Sequence, residues 1–356
     1  MNGDRGPSGR RFTFGLDKYS GLYLFGLFIV VFGTWKPNLF LTAATVHSIA
    51  SQQVIVAMIA VGVLIPLATG TFDLSVGAVA NLSAVVATWL LDSYNLSPVI
   101  AIAVAVGTAA VVGVINGFIV IRLRVSSFIA TLGTASIIAA VQTMVAGGSQ
   151  PLPPTASAWV NLTQTDVWGF QVVVLYLLVL AVVIWWLLDH TPAGRYLFAV
   201  GGNPVAARLA GVRVDKWVWL SLVASSTICG AAGVLFASQV GPSLTFGAAM
   251  LLPAYAAAFL GSTQLKPGRF NVWGTLIAVY ALATGVQGLQ FVTGVQWLND
   301  MFNGVALISA VAFAVWRQRV GPAGKPSRPR SAPAARGDDG SGSGRSAHSD
   351  HLDSKI

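Results

Sequence analysis

The chain has 356 residues, of which 55% are hydrophobic and only 9% charged, and its mean hydropathy is +0.72. Water-soluble domains carry about 25% charged residues because their surfaces face water, so this composition predicts a protein whose main solvent is lipid. All 12 acidic residues are aspartates, which excludes glutamate-dependent chemistry such as that of the H-E-x-x-H zinc proteases. The single cysteine, Cys229, excludes an internal disulfide and is expected to be a small buried hydrophobe.

Ten apolar runs follow one another along the chain, several of them near the short end of the ~17–25 residues that a membrane-crossing helix needs. No alternating barrel pattern is present, so we predict an all-α membrane protein with about ten transmembrane helices. A segment at 1–19 precedes this transmembrane domain (20–316), and a tail at 317–356 is expected to be disordered. The predicted spans are residues 20–35, 52–70, 72–91, 98–121, 127–146, 171–188, 217–238, 248–264, 270–290 and 299–316.

The basic residues indicate how the chain is oriented. If both termini are cytoplasmic, the inner segments carry 20 of the 21 lysines and arginines, and the outer loops carry Lys36 alone. No stretch interleaves aromatic and basic residues as a nucleic-acid groove does, so we expect membrane lipid and not nucleic acid as the partner of these charges. In the longest outer loop, 147–170, Trp159 and Trp168 are expected at the membrane interface.

A few polar residues lie inside the apolar runs. Between Lys36 and Arg122 the only charged residues are Asp73 and Asp92, and Asp92 falls in an outer turn. Asp73 lies where two spans meet, so it either N-caps the third span or takes part directly in transport. Asn116 stands between two glycines in G-x-x-x-G spacing, which favours a bridge between packed helices. The candidate translocation path comprises Asp73, Ser75, Asn81, Asn116 and Thr131.

The stretch GGNPVAARLAGVRVD, residues 201–215, predicts a short helix outside the membrane. Asn203 is a suitable N-cap, Pro204 suits the first helical position, and Gly211 ends the helix after Ala210. About two turns are too short to cross the bilayer. Val205 and Leu209 are expected on one face of this helix.

Four segments in chain order resemble inner-membrane permeases of the ribose/simple-sugar class of ABC importers. GTFDLSVG contains the G-x-x-D-L-S-V-G signature, and 125–141, 191–216 and 253–279 resemble three later motifs of that family. Together the matches run from about residue 45 to 316. The chain departs from the pattern at Val205, where the family has a glutamate, and near the eighth span at Leu251 and Pro253, where acidic residues are often present.

The resemblance implies an all-helical permease of the bacterial inner membrane that works as a pair, with a homodimer expected. It further implies a cytoplasmic ABC-type ATPase that supplies energy, and an extracytoplasmic solute-binding protein that delivers a small neutral solute such as a monosaccharide or polyol. The chain contains no G-x-x-x-x-G-K-[ST] loop, so ATP hydrolysis is expected on a separate chain. The coupling loop (189–216) would rest on that ATPase through Gly202, Asn203, Pro204, Val205, Ala206, Ala207, Arg208, Leu209 and Gly211.

Two other classes remain open at this stage. An ion-coupled secondary transporter usually carries several intramembrane acids or broken-helix ion sites, whereas this chain offers one deep aspartate. A membrane-embedded enzyme is the weaker rival, since His47 and His190 have no cysteine or glutamate nearby. We therefore expect no catalytic residue, no metal and no cofactor.

Overall fold

The computed structural model describes residues 16–320, and these are helical almost throughout. The predicted segment at 1–19 and the predicted disordered tail at 317–356 lie mainly outside the described residues. One two-stranded antiparallel sheet pairs β1 (Asp166–Val167) with β2 (Phe170–Gln171). The helices are α1 (Leu16–Trp35), α2 (Pro37–Phe40), α3 (Ala43–Gln52), α4 (Val54–Ala68), α5 (Val76–Tyr94), α6 (Pro98–Arg122), α7 (Ser127–Val145), α8 (Ser157–Gln164), α9 (Val173–His190), α10 (Pro192–Gly202), α11 (Pro204–Leu209), α12 (Val214–Gln239), α13 (Phe246–Ser262), α14 (Val272–Thr293) and α15 (Trp297–Val320).

Each of the ten apolar runs coincides with a helix, so the prediction of an all-α membrane protein is confirmed. Among the described residues, six helices are long and apolar enough to cross a membrane: α5, α6, α7, α9, α12 and α14. The bent pair α3–α4, with an angle of 40° between its halves, makes a seventh when it is counted as one span. Ten spans, cytoplasmic termini and a paired assembly therefore stay predictions.

The core lies around α12, which packs against α4, α5 and α6. Small residues bring these helices together: Gly113 of α6 lies against the backbone of Val223, and Gly117 lies against the ring of Trp219. This confirms the close packing that the G-x-x-x-G spacing predicts. Cys229 of α12 is fully buried beside Gly62 of α4, as its apolar surroundings predict.

Connecting segments gather at two opposite ends of the helices. One end, here called the basic end, carries residues 122–126, 189–213 and 263–271, and there Lys266 Nζ lies 2.7 Å from Asp189 Oδ2. The other, here called the hairpin end, carries residues 36–53, 147–172 and 239–241, and there Gln164 Nε2 donates to the Gln239 carbonyl at 3.0 Å. This grouping agrees with the division into inner and outer segments drawn from the basic residues.

The prediction for Trp159 is wrong, because only 1% of this residue is exposed. Loop 147–170 contains α8, which packs against α12, and this contact carries Trp159 into the core. Trp168 is 97% exposed at the tip of the hairpin. Trp168 and Gly169 both have positive φ, as a tight two-residue turn between antiparallel strands requires.

Candidate functional site

The chain leaves regular helix between α4 and α5, in residues 69–75, here called the first break. Irregular backbone among apolar helices needs a partner for every polar group, and side chains supply those partners here. Four consecutive N–H groups each donate to a side-chain oxygen, three of them across to α7 or α13. The pairs are Phe72 N with Ser127 Oγ (3.1 Å), Asp73 N with Tyr255 Oη (3.1 Å), Leu74 N with Thr131 Oγ1 (3.0 Å) and Ser75 N with Asp73 Oδ1 (3.1 Å).

A chain of hydrogen bonds links α6 to the first break. Asn116 Nδ2 donates to Ser75 Oγ at 2.9 Å, and Ser75 Oγ donates to Asp73 Oδ1 at 2.6 Å. Tyr255 Oη in turn donates to the Asp73 carbonyl at 2.8 Å. Asp73 is fully buried, and its Oδ2 has no hydrogen-bond partner among the described residues. The segment is therefore fixed to α6, α7 and α13 at once.

A second irregular segment, residues 240–245, separates α12 from α13 and is here called the second break. Two side-chain amides donate to the backbone carbonyl of Leu244 in this segment, Asn81 Nδ2 at 2.9 Å and Gln142 Nε2 at 2.8 Å. Asn81 Oδ1 also accepts from Gly247 N at 2.8 Å, which satisfies one of the first N–H groups of α13. The second break is thus tied to α5 and α7.

The two breaks meet where α5 and α13 begin. Gly77 and Gly247 lie in direct backbone contact, and a Cβ added to either would collide with the carbonyl of the other. Tyr255 is level with Asp73, and α13 continues for seven residues beyond it, or about 10 Å. α5 continues for 13 residues beyond Asn81, or about 20 Å. The first break starts at the basic end, where Gly70 lies against Gly201, and the second starts at the hairpin end with the exposed Val240. Both breaks run inward from there to the contact between Gly77 and Gly247.

The five predicted path residues gather at these breaks. Asp73, Ser75, Asn116 and Thr131 surround the first break, and Asn81 holds the second. All five are buried, so none of them lines an open passage in this structure. The interpretation of Asn116 as a bridge between helices is confirmed by its bond to Ser75.

The prediction that Asp73 caps α5 is wrong. Ser75 is the N-cap residue, and Asp73 stands two positions before it, accepting from the Ser75 N–H and hydroxyl. The aspartate therefore fixes the turn that leads into the helix and does not satisfy the helix's own first N–H groups.

Sequence reasoning missed two residues that hold the breaks, Tyr255 and Gln142. Their partners lie 182 and 102 positions away along the chain, so no local pattern marks them. It also missed the exposed residues on the two helices that hold the first break, Leu132 and Gly133 of α7 and Ala248 and Leu252 of α13, here together called the open face.

At the basic end the predicted short helix is confirmed as α11. Asn203 is its N-cap, with Oδ1 accepting from Ala206 N at 2.9 Å, and Pro204 is its first residue. Gly211 follows in the left-handed region at φ 82°. Val205 and Leu209 are 69% and 86% exposed, so they form an apolar stripe that no described residue covers.

One expectation about how α11 would meet another chain needs correction. Ala207 is buried in a cluster with Val200, Val214, Val218 and Leu222 of its own chain, so it seats α11 on the neighbouring helices and is not available to another protein. Arg208 forms an ion pair with Asp215 of α12 at 3.2 Å. Both partners are largely exposed, so this pair contributes little to stability.

Comparison with known proteins places these features in context. The family described as "Branched-chain amino acid transport system / permease component" matches residues 45–311. The chain is 30% identical over 305 residues to the fructose import permease protein of Rhizobium meliloti, covering 83% of this chain and 84% of that one. It is 30% identical over 318 residues to the ribose import permease protein of Escherichia coli K12, covering 85% and 96%.

The D-allose transport system permease protein of the same strain is 28% identical over 305 residues, covering 85% of this chain and 93% of that one. No solved structure gives a significant match.

Proposed function

Because this chain belongs to that family of transport-system permease components, we propose that it carries a small neutral solute, a monosaccharide or polyol, across the membrane. Membership makes it a multi-pass inner-membrane permease subunit of a binding-protein-dependent importer, and an ion-coupled transporter is not favoured. The proposal extends to the assembly: two copies of the chain, a cytoplasmic ATPase and an external solute-binding protein.

The observation that carries the substrate class is the lack of charged side chains in the helical turns that flank the two breaks, since the one acidic residue within a break, Asp73, is already bonded to Ser75. In sequence, α4, α7 and α13 contain no charged residue, and α5 contains only Asp92 near its far end. A zwitterionic amino acid, the substrate type in the family's description, would need groups of both signs along its path. Three relatives carry the names of fructose, ribose and allose permeases, which supports a neutral polyhydroxylated solute.

We place the pathway along the open face of α7 and α13. This face presents small and apolar side chains together with the exposed Thr245 of the second break. If a second copy of the chain packs opposite this face, the two copies enclose a passage between them. The two breaks of each copy then border that passage. Asp73, Ser75, Asn81, Asn116 and Thr131 then act by holding the breaks in place, since their polar atoms are already engaged with the chain.

We assign contact with the ATPase to α11. Its buried side rests on the permease through Ala207, while its opposite side offers the stripe of Val205 and Leu209. Two turns bury too little area for lipid alone to hold such a helix, so a protein groove is the better partner. Gly202, Asn203, Pro204 and Gly211 give the helix its fixed start and end.

Uptake by the reconstituted importer tests the transport proposal. Proteoliposomes are prepared with this chain, the ATPase and the solute-binding protein. They should take up ribose, fructose or another neutral sugar only when ATP is present on the side of the membrane that carries the ATPase. Leucine uptake should be absent. ATP-driven uptake of leucine without any sugar would overturn the assigned substrate class.

Substitution of the exposed stripe tests the coupling proposal separately. Leu209→Glu and Val205→Glu place a charge on the face assigned to the ATPase, and Leu123→Glu is the control, because Leu123 is also exposed at the basic end. The first two variants should lose substrate-stimulated ATP hydrolysis while the loaded external protein still binds. Normal hydrolysis by Leu209→Glu would make α11 a connecting segment only.

A further inference from the structure

A cavity of about 820 Å³ lies at the hairpin end, apart from the open face of α7 and α13. Its walls come from α3, the β-hairpin and the ends of α12 and α13, which are far apart in sequence. Ile55, Phe236 and Met250 contribute apolar surface, and the polar side chains include His47, Gln52 and Asp166. Its volume lies within the ~300–1,000 Å³ range of small-molecule sites, and its lining is more polar than that of most such sites.

Contacts within the chain hold the walls of this cavity in place. Gln239 Nε2 donates to the Ser51 carbonyl at 3.2 Å and to Gln171 Oε1 at 3.0 Å, which joins α12 to α3 and to the hairpin. The ring of His47 meets the ring of Phe170 edge-on, with centroids 4.5 Å apart. The cavity therefore exists before any ligand arrives.

Three polar groups on the walls are left without a partner among the described residues. The His47 ring nitrogens and the Asp166 carboxylate form no hydrogen bond or ion pair there, and Gln52 uses only Nε2, which donates to Ser48 Oγ at 2.7 Å. These groups supply both donors and acceptors. A sugar hydroxyl both donates and accepts, so this set suits a polyhydroxylated solute, and the apolar wall suits the C–H face of a sugar ring.

The cavity also lies beside the second break. Val240, the first residue of that break, lines it, and so does Met250 from the first turns of α13. The second break and the start of α13 thus form part of the wall of this cavity.

We propose that this cavity is a solute-binding site of the permease itself, where a neutral polyhydroxylated solute rests after the external protein releases it and before it passes the second break. The inference rests on the proposed function for its solute class. It adds a site in each chain that is distinct from the passage between chains.

Direct binding to the full-length chain tests the proposal. The chain, in phosphatidylcholine–phosphatidylglycerol nanodiscs without external protein or ATP, is dialysed against radiolabelled ribose and fructose. Saturable binding of at least one sugar is expected. His47→Phe keeps the ring contact with Phe170 but removes the nitrogens, and Gln52→Met keeps the side-chain length, so each should raise the Kd about tenfold.

Two control variants are matched to the chemistry of the site. His190→Phe changes a histidine at the basic end whose ring meets Trp185 edge-on at 4.6 Å, much as His47 meets Phe170. Asp92→Asn neutralises an exposed carboxylate that does not line the cavity, whereas Asp166→Asn neutralises one that does. The two controls should bind as the unmodified chain does, and Asp166→Asn should bind more weakly.

Three results would overturn the inference. The first is that neither sugar binds saturably, and the second is that His47→Phe and His190→Phe bind sugar equally well. The third is that the cavity variants bind sugar normally but no longer bind the external protein, which would make the cavity a protein contact. ATP-driven uptake in proteoliposomes, measured on the same preparations, separates this failure from failure of the proposed function. Sugar uptake without cavity binding removes the site alone, whereas absence of any sugar uptake removes the proposed function and the inference with it.

Discussion

The two breaks hold irregular backbone inside the helical layer by different means. In the first break, four successive N–H groups are each taken by a different acceptor, and short side chains or a rigid phenol supply them. In the second break, one carbonyl accepts from two long carboxamides, and Gly241 has a φ of 107° that favours glycine. The first break is therefore held rigidly. In the second break the long side chains and Gly241 can rotate while the hydrogen bonds to the Leu244 carbonyl are kept.

This difference suggests how the parts of the pathway divide the work. The first break fastens α5 to α6, α7 and α13, so it sets the framework of the passage. The second break is held by fewer and longer ties and leaves Thr245 exposed, so a change of shape between open and closed passages is expected there first.

The largest effect should come from disrupting the glycine contact between the two breaks. Gly247→Val places a branched side chain against the carbonyl of Gly77, where no space exists, so the folded chain should be lost or severely destabilised. Gly107→Val on α6 is the control, since no atom lies within 4 Å of an added Cβ there. Labelling of the buried Cys229 by a maleimide during heating measures unfolding, and equal midpoints for both variants would contradict the contact.

Asn81→Leu should have the next largest effect. It removes the donor to the Leu244 carbonyl and the acceptor of Gly247 N together, in a site away from water. At about 1–2 kcal/mol for each bond in a membrane protein, destabilisation of about 2–4 kcal/mol is expected. The same Cys229 labelling assay measures it, and an unchanged unfolding midpoint would show that the second break is not held in this way.

Thr131→Val tests one bond of the first break. The exchange preserves shape but leaves Leu74 N without its acceptor, so a loss of about 1–2 kcal/mol is expected. Thr131→Ser, which restores the hydroxyl, should recover most of that loss. If the valine variant instead unfolds like the unmodified chain while transport changes, the first break is a moving part and the comparison above is reversed.

The smallest effect on stability should follow Gln142→Leu. Leu244 then keeps its bond from Asn81, so the loss should be under about 1 kcal/mol. Because the second break becomes freer, the rate of ATP-driven uptake should change more than the unfolding midpoint does. Uptake at the unmodified rate would indicate that the second break does not move during transport.

Local patterns predicted some of these features and could not predict others. The limits of α11 follow from Asn203, Pro204 and Gly211, because capping depends on neighbours within a few residues. Which side of α11 is buried depends on Val214 and Leu222 of another helix, so Ala207 was misassigned. The capping role considered for Asp73 failed for a similar reason, since Tyr255 and Asn116 fix the turn from distant helices.

The length of α12 gives the molecule a mechanical property. At 26 residues it measures about 39 Å, with Asp215 paired to Arg208 of α11 near one end and Gln239 joined to α3 and the hairpin at the other. A rigid rod of that length that tilts by about 5° about its first turn moves its far tip by about 3 Å. That displacement is about the length of one hydrogen bond. A small rotation of α12 that starts at α11 is therefore enough to break the hydrogen bonds of Gln239 at the opposite end.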